Sequence, residues 1–404
     1  MTQSAPLARA LQVALVTETY PPEVNGVAAT FSRVVQGLRE QGHTLQLIRP
    51  RQSDTDRPEP VTERWCETLV RGLPVPRYPA LRMGLPATRR LIRQWQAQRP
   101  DVVHLVTEGP LGWSGLRAAR ALGLPVVSDF RTNFHAYARH YGMAWLGRPM
   151  EAWLRYFHNR TDRTMVPTQH LAGELGARGF ERLSVIARGV DAQRFSPAHR
   201  DLAMRARWGA GEHTWVALCV GRLAPEKNLD TLINAWRCLR AAHPDTRLVL
   251  VGDGPERERL GHICPEAVLA GTLHGTELAC AYASADVFLF ASMTETFGNV
   301  VTEAMASGLA VLAFDHAAAG ELIQHGHNGL IAPLGQREAF LALAPQLVGD
   351  PAHTRRLGER ARATALTLDW HSIVGGIERE YRAAMATRSA ASGDPAPGLR
   401  PQAR

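Results

Sequence analysis

Two glutamates stand at a spacing that suits a ligand rich in hydroxyl groups. Glu295 and Glu303 both lie in the stretch ETFGNVVTEAMASG, residues 295–308. The apolar run before it, ADVFLFAS at 285–292, predicts a buried strand, and the apolar spacing from 299 to 307 predicts a helix. Glu295 is therefore expected in the strand-to-helix loop and Glu303 in the second helical turn. An ordinary surface loop carrying two unrelated glutamates is the alternative.

The join between this strand and helix also has the composition of an anion site. Gly298 lies just before the predicted helix, Asn299 is a residue type that favours the N-cap, and Val300 follows. The first free amides of such a helix suit an anion such as a diphosphate. In open α/β sheets, the crevice at the carboxyl ends of the strands is where ligands bind.

A second group of polar residues follows another buried strand, WVALCVG at 215–221. Gly221, Arg222 and Lys227 lie in the turn GRLAPEKNLD, and Lys227 is the only lysine of the chain. Two charge-assisted contacts of about 1.5–3 kcal/mol each could hold an anionic ligand there. A solvated turn is the alternative interpretation.

Composition narrows the class of protein. The 404 residues, 45% hydrophobic and 21% charged, are typical of a two-domain globular protein. Five scattered cysteines without a CxxC pair indicate reduced thiols and predict neither a metal site nor disulfides. The N-terminus lacks the apolar core of a secretory signal. Reduced thiols and the lack of this signal together predict a cytoplasmic protein. The net charge of +8 favours anionic partners, but no nucleic-acid-binding motif is recognisable.

Strands and helices alternate along both halves of the chain. In the first half, QVALVTETY at 12–20 and HTLQLIRP at 43–50 flank a segment with helical apolar spacing. The second half repeats the alternation. The pattern predicts an α/β fold with two parallel, doubly wound sheets, each covered by helices on both faces. Residues 51–85 are rich in Pro and Arg and are predicted to be irregular, with a short strand near 68–71.

In combination, these motifs resemble the retaining glycosyltransferases of family 4, which have the GT-B fold of two Rossmann-like domains facing a crevice. The resemblance covers roughly residues 12–385. In that family the first glutamate contacts the donor sugar, the amides after it hold the diphosphate, and the second glutamate holds the ribose. The resemblance implies these roles for Glu295, for Gly298, Asn299 and Val300, and for Glu303.

The resemblance also assigns the basic turn. It implies that Arg222 and Lys227, beside Gly221, grip the donor diphosphate, so that no metal and no cofactor beyond the nucleotide-sugar substrate is expected. A metal-dependent transferase would more usually show an Asp-x-Asp pair, and none stands at a strand end here. Retention is then expected on one face of the sugar, with the leaving phosphate taking the acceptor's proton.

Residues of the first half are expected to complete the crevice. Gly26, in PPEVNGV after the first strand, lets the backbone approach a ligand and matches the family's loop. Where many family members have a catalytic histidine, this chain has Arg131, which cannot act as a base but can stabilise a phosphate. His135 lies shortly after it, and His104 ends a strand that faces the same crevice. Either histidine could contact the acceptor, although a structural role is the commoner one for His104.

The resemblance further implies a domain arrangement. The segment GVDAQRFSPAHR at 189–200 is similar to the family's interdomain link, which places the acceptor domain at 1–194 and the donor domain at 195–368. The helix 369–385 is expected to cross back to the first domain. Residues 386–404 are rich in Pro, Gly, Ser and Ala and are predicted to be disordered.

Aromatic and basic residues are mixed in the segment 131–162. The rings either pack in the core or form an acceptor groove or membrane-facing surface, since aromatics and arginines suit an anionic interface. Its aromatic residues are Phe134, Tyr137, Tyr141, Trp145, Trp153, Tyr156 and Phe157.

Taken together, the sequence predicts a retaining hexosyltransferase that forms an α-glycosidic bond to a hydroxyl acceptor, with a membrane lipid as a plausible acceptor. The two-glutamate stretch is most similar to GDP-mannose-dependent α-mannosyltransferases, with UDP-glucose and UDP-sulfoquinovose users nearly as close. The enzyme is expected in the cytoplasm, peripheral to the inner face of the membrane. A non-catalytic nucleotide-sugar-binding protein remains an alternative, and a basic nucleic-acid binder a weaker one.

Overall fold

A computed structural model describes residues 9–23, 26–75, 78–131 and 147–392. His135 and the rings from Phe134 to Trp145 lie outside the described residues. In the first half, the strands are β1 (Gln12–Val16), β2 (Thr44–Pro50), β3 (Trp65–Val70), β4 (Gly72–Val75), β5 (Tyr78–Gly84), β6 (Val102–Leu105), β7 (Val126–Asp129), β8 (Arg163–Val166) and β9 (Leu183–Val185). The helices are α1 (Gly26–Glu40), α2 (Thr88–Ala97), α3 (Pro110–Ala121), α4 (Gly147–His158) and α5 (Gln169–Ala177).

The second half contains shorter loops and one sheet. Its strands are β10 (Trp215–Val220), β11 (Thr246–Val251), β12 (Val268–Gly271), β13 (Val287–Phe290), β14 (Ala310–Phe314) and β15 (Leu330–Ala332). Its helices are α6 (Leu202–Arg207), α7 (Leu229–Ala242), α8 (Arg257–Ile263), α9 (Gly275–Ser284), α10 (Asn299–Ala306), α11 (Ala317–Leu322), α12 (Arg337–Leu343), α13 (Pro351–Ala365) and α14 (Trp370–Ser392).

Each half is built on a parallel sheet. The first sheet has seven strands in the order β3-β2-β1-β6-β7-β8-β9, and the second has six in the order β12-β11-β10-β13-β14-β15. The apolar strand runs, such as VVHL in β6 and VFLF in β13, are buried throughout because helices cover both faces. The predicted fold class, two Rossmann-like doubly wound units, is confirmed.

Strand order also locates the ligand crevice. It reverses between β1 and β6 in the first sheet and between β10 and β13 in the second. At such a switch point, the connections leave on opposite faces and a cleft opens beyond the carboxyl ends of the strands. The turn after β10 and the loop after β13 carry the two motifs that the sequence singled out.

The last helix crosses back to the first half. On α14, Val374, Ile377 and Tyr381 pack in the same core as Phe31 and Val34 of α1. The tail predicted to be disordered from residue 386 is helical as far as Ser392, and Arg388 contacts Asp162 at 3.4 Å. Alanines favour helix here, and that ion pair anchors the added turns. Residues 393–404 lie outside the description.

The prediction of an irregular 51–85 segment was wrong for much of its length. It contains the edge strand β3, which pairs with β2, and the antiparallel hairpin β4–β5. Glu67 in β3 is buried because Arg49 of β2 binds its carboxylate at 2.6 Å. That cross-strand ion pair allows a polar sequence to form a buried strand.

The two halves touch around the crevice. Asn299 Nδ2 of α10 donates a hydrogen bond to Thr30 Oγ1 of α1 at 3.2 Å. The backbone N–H of His170 donates to the Glu321 carboxylate at 3.0 Å. The first of these contacts holds the second turn of α1 against the first turn of α10. Among the helices of the described residues, none combines the length and apolar character that crossing a bilayer requires.

Candidate active site

A lysine–glutamate pair occupies the switch point of the second sheet. Lys227 ends a short 3-10 helix, Pro225–Lys227, that follows β10, and its Nζ donates a hydrogen bond to Glu295 Oε1 in the loop after β13. The ammonium also lies 5.7 Å from the centre of the Phe290 ring. Two motifs separated by many residues in sequence are thus joined in one ion pair.

Glu295 is held as a carboxylate. Burial raises its pKa, but Lys227, the Ser292 hydroxyl and the charge of Arg188 more than offset that effect, and the net pKa is lowered. Ser292 Oγ donates to Glu295 Oε1 at 2.9 Å. The backbone oxygen of Glu295 lies 3.2 Å from His316 Nε2, which fixes the loop from the other side. The carboxylate is therefore ionised and oriented before a ligand arrives.

The start of α10 differs in detail from the prediction. The N-cap is Gly298, at φ +90°, and Asn299 is the first helical residue, so Asn299 does not cap the helix. Gly298 suits this left-handed conformation because it has no Cβ. No side chain caps the first turn. The amides of Asn299 and Val300 lie in that first turn, whose N–H groups are the ones that an anion can bind.

Glu303 lies in the second turn of α10. Its Oε2 accepts a hydrogen bond from the buried Tyr282 hydroxyl at 2.8 Å. Burial raises the pKa of Glu303 to about 7, against the opposing effects of Tyr282 and of Arg194. Glu303 therefore titrates near neutral pH. When it is ionised, its carboxylate can accept hydrogen bonds from ligand hydroxyls.

The turn after β10 is shaped by glycines. Gly221 has φ +149°, and a Cβ on Gly252, at the end of β11, would lie 1.9 Å from the Gly221 oxygen. This close approach of the two backbones directs the turn across the carboxyl end of the sheet. Arg222, the next residue, is exposed.

The first half contributes α1 and the end of β7. Gly26 is the first residue of α1, exposed, about one turn before the Thr30 that contacts Asn299. Open space surrounds the position that a Cβ on Gly26 would take. Gly26 therefore lies about one turn from the residue of α1 that contacts α10, with its backbone accessible.

Arg131 is paired rather than free. Its Nε and Nη2 donate to Asp129 Oδ2 at 2.7 and 2.5 Å. His104, fully buried, contacts the same Asp129 oxygen at 3.0 Å and the Tyr381 hydroxyl at 2.8 Å. Burial raises the pKa of Asp129, but the opposing effects of Arg131 and His104 are larger, and the net pKa lies well below its usual range. His104 thus reaches the crevice only through Asp129 and Arg131.

Sequence reasoning missed three residues of this site. Ser292 orients Glu295, Tyr282 orients Glu303, and Arg188 contacts Asn299 at 3.5 Å. Ser292 closely precedes Glu295, and a hydroxyl beside a loop carboxylate was a usable signal. Nothing in the spacing of Tyr282 or Arg188 indicated their contacts. No group of three or more His, Cys, Asp or Glu residues is placed to hold a metal ion in the described part of the chain.

Solved structures share the fold over most of the chain. Sucrose-phosphate synthase from Thermosynechococcus elongatus matches with a TM-score of 0.76 at 19% identity, covering 93% of this chain and 100% of that one. HepE from Anabaena, in complex with UDP and glucose, matches with a TM-score of 0.70 at 18% identity, covering 92% and 100%. These matches show that the two Rossmann-like units of this chain have the GT-B fold.

Sequence comparisons identify the family. The description "Glycosyltransferase Family 4" matches residues 24–194, and "Glycosyl transferases group 1" matches residues 202–364. A GDP-mannose-dependent alpha-mannosyltransferase of Mycobacterium tuberculosis is 39% identical over 94% of this chain and 98% of its own length. The chain therefore belongs to family 4 of the retaining glycosyltransferases.

More distant relatives have other donors or products in their names. A sulfoquinovosyl transferase of Arabidopsis thaliana is 31% identical, covering 94% of this chain and 75% of that protein. An alpha-monoglucosyldiacylglycerol synthase of Streptococcus pneumoniae is 25% identical, covering 84% and 79%.

Proposed function

We propose that this enzyme transfers mannose from GDP-mannose to a hydroxyl acceptor and forms an α-mannoside. The observation that carries the proposal is the Lys227–Glu295 pair beside the uncapped start of α10 at the switch point of the second sheet. The relative named as a GDP-mannose-dependent alpha-mannosyltransferase, which aligns with nearly the whole chain, supports the choice of donor.

The donor diphosphate is expected between the basic turn and α10. The amides of Asn299 and Val300 would bind phosphate oxygens, while Arg222 and Lys227 neutralise the charge. Lys227, already bound to Glu295, can contact a phosphate without leaving that carboxylate, because an ammonium has three donors. Glu295 would then accept hydrogen bonds from sugar hydroxyls next to the reacting carbon.

The chemical step follows from this placement. The bond between the sugar's anomeric carbon and the phosphate oxygen breaks, and a bond to the acceptor oxygen forms on the same face. The acceptor's proton passes to the leaving phosphate oxygen, so no protein base is needed. Arg222, Lys227 and the helix amides stabilise the charge that grows on the phosphate, which is the largest contribution that fixed groups can make. Closure of the two halves would exclude water.

The acceptor is proposed to be a membrane lipid. On α4, Tyr156 is 44% exposed, and Arg160 stacks on its ring at 3.3 Å. Trp153 packs against Trp113 at 5.0 Å between ring centres, so part of the aromatic segment is core and part is surface. An exposed ring with an arginine suits an anionic bilayer surface. The relative named as a glucosyldiacylglycerol synthase supports a lipid acceptor, at the cytoplasmic face of the membrane.

A donor panel tests the proposal. Purified enzyme is incubated with GDP-mannose, UDP-glucose or UDP-sulfoquinovose, with and without membrane lipid extract, and released nucleotide is measured. The proposal expects release from GDP-mannose that rises with lipid and is at least about tenfold slower in Lys227→Ala. Release from a UDP sugar alone would change the donor. Tight binding of GDP-mannose without release under any condition would favour a non-catalytic sugar-nucleotide binder.

A further inference from the structure

Arg188 brings a largely buried positive charge to the junction of the two halves. It lies in the segment that follows β9, and its Nη1 is 3.5 Å from Asn299 Oδ1, on the first residue of α10. Its guanidinium carbon lies 5.6 Å from the centre of the Phe297 ring, just before that helix. The guanidinium is therefore next to the uncapped helix start, on the side that faces the first half.

The neighbouring carboxylates are already bound to other cations. Asp129 is held by Arg131, and Glu295 is held by Lys227. Among the described residues, no carboxylate lies within ion-pair distance of Arg188. Among these described groups, three cations therefore accompany two carboxylates, an excess of one positive charge.

The surroundings of Arg188 disfavour its charged form, and the pKa of its guanidinium shows this. Burial and the charge of Arg131 lower the pKa of Arg188 to about 9, although Asp129 and Glu295 oppose the shift. An uncompensated buried charge is destabilising unless a partner of opposite sign is supplied. A small cavity of about 20 Å³, lined by Thr30, Arg131 and Arg188 among others, lies beside the guanidinium.

We infer that Arg188 is a further phosphate-binding residue, which contacts the terminal phosphate of the nucleoside diphosphate from the side opposite Arg222 and Lys227. This inference rests on the proposed function, because the anion at the start of α10 is taken to be the donor diphosphate. A guanidinium offers two parallel donors to a phosphate, which the helix amides cannot supply from that side. Since Arg188 follows the first sheet, its contact would couple phosphate binding to closure of the halves.

Binding of three guanine ligands tests the inference. The affinities of GDP, GMP and guanosine are measured by calorimetry for the wild type, Arg188→Gln and Arg188→Lys. Arg188→Gln should lose about tenfold or more in GDP affinity, lose less for GMP, and bind guanosine as the wild type does. Arg188→Lys, which keeps the charge but not the fork of donors, should recover part of the loss. Arg240→Gln, on the surface of α7, is the matched control.

Two results would overturn the role of Arg188. One is wild-type GDP affinity in Arg188→Gln. The other is an equal loss for GDP and guanosine with a lowered melting temperature, which would indicate a structural role. If the wild type itself fails to bind GDP, the proposed donor is wrong, and UDP, UMP and uridine replace the guanine series for the same comparison. Failure of the wild type to bind either diphosphate would overturn the site as well.

Discussion

Glu303→Gln should remove a pH dependence from nucleotide binding. In the wild type, burial raises the pKa of Glu303 to about 7, and its carboxyl accepts a hydrogen bond from Tyr282. If Glu303 binds the ribose, its ionised form is the better acceptor for ribose hydroxyls. Protonation therefore competes with nucleotide binding, and affinity should rise as pH increases through about 7.

The size of this effect follows from the ionised fraction. One unit below a pKa of about 7, roughly a tenth of the carboxyl is ionised, and one unit above it roughly nine-tenths. The wild type should therefore bind GDP about tenfold more tightly near pH 8 than near pH 6 through this group. The glutamine variant cannot ionise, so it should lack this increment and should bind more weakly than the wild type near pH 8.

Calorimetry with GDP at several pH values measures the difference. The phosphate of GDP also titrates, with a second pKa near 6, so the informative quantity is the ratio of wild-type to variant affinity at each pH. Parallel pH profiles for the two proteins would refute the reasoning. An independent check is stability: because the folded-state pKa is raised above 4.5, the wild type should lose stability relative to Glu303→Gln as pH rises from about 4.5 through 7.

Other predictions concern the cations, the sugar contact and the membrane. Lys227→Ala and Arg222→Ala should each lower turnover by at least about tenfold with melting temperatures near the wild type, and unchanged rates would remove either residue from the site. Glu295→Gln should slow transfer and leave GDP binding nearly unchanged, because GDP lacks the sugar; an equal loss of GDP affinity contradicts this. The protein should sediment with anionic vesicles, because each basic residue at the membrane surface contributes about 1 kcal/mol of attraction. High salt should reverse this binding, and Tyr156→Ala should weaken it. Protein that remains in the supernatant under every condition would exclude the membrane proposal.

The parallel sheets could be predicted because buried parallel strands are continuous apolar runs. The runs before Gly221 and Glu295 placed both motifs at the carboxyl end of one sheet, and their ion pair follows from that edge. The start of α10 could be predicted only to within a residue. Gly and Asn both favour helix starts, and the left-handed conformation at Gly298 decided which of them is the N-cap.

Contacts between distant segments could not be predicted from local pattern. Strand β3 was predicted only in part, as a short strand near 68–71, because its buried Glu67 depends on Arg49 of another strand. The position of Arg188 beside Asn299 depends on how the two halves meet. The spacing of residues along the chain does not indicate such contacts, because each of these arginines has the local sequence of an ordinary surface arginine.

The anomeric configuration of the first-formed product tests the central claim most directly. The enzyme is given GDP-mannose and membrane lipid extract, the mannosylated product is isolated at low conversion, and NMR spectroscopy establishes its anomeric linkage. Retaining transfer predicts an α-mannoside, formed in step with GDP release and at least about tenfold more slowly by Lys227→Ala. A β-mannoside as the first product, or GDP release without a mannosylated product, would contradict the account.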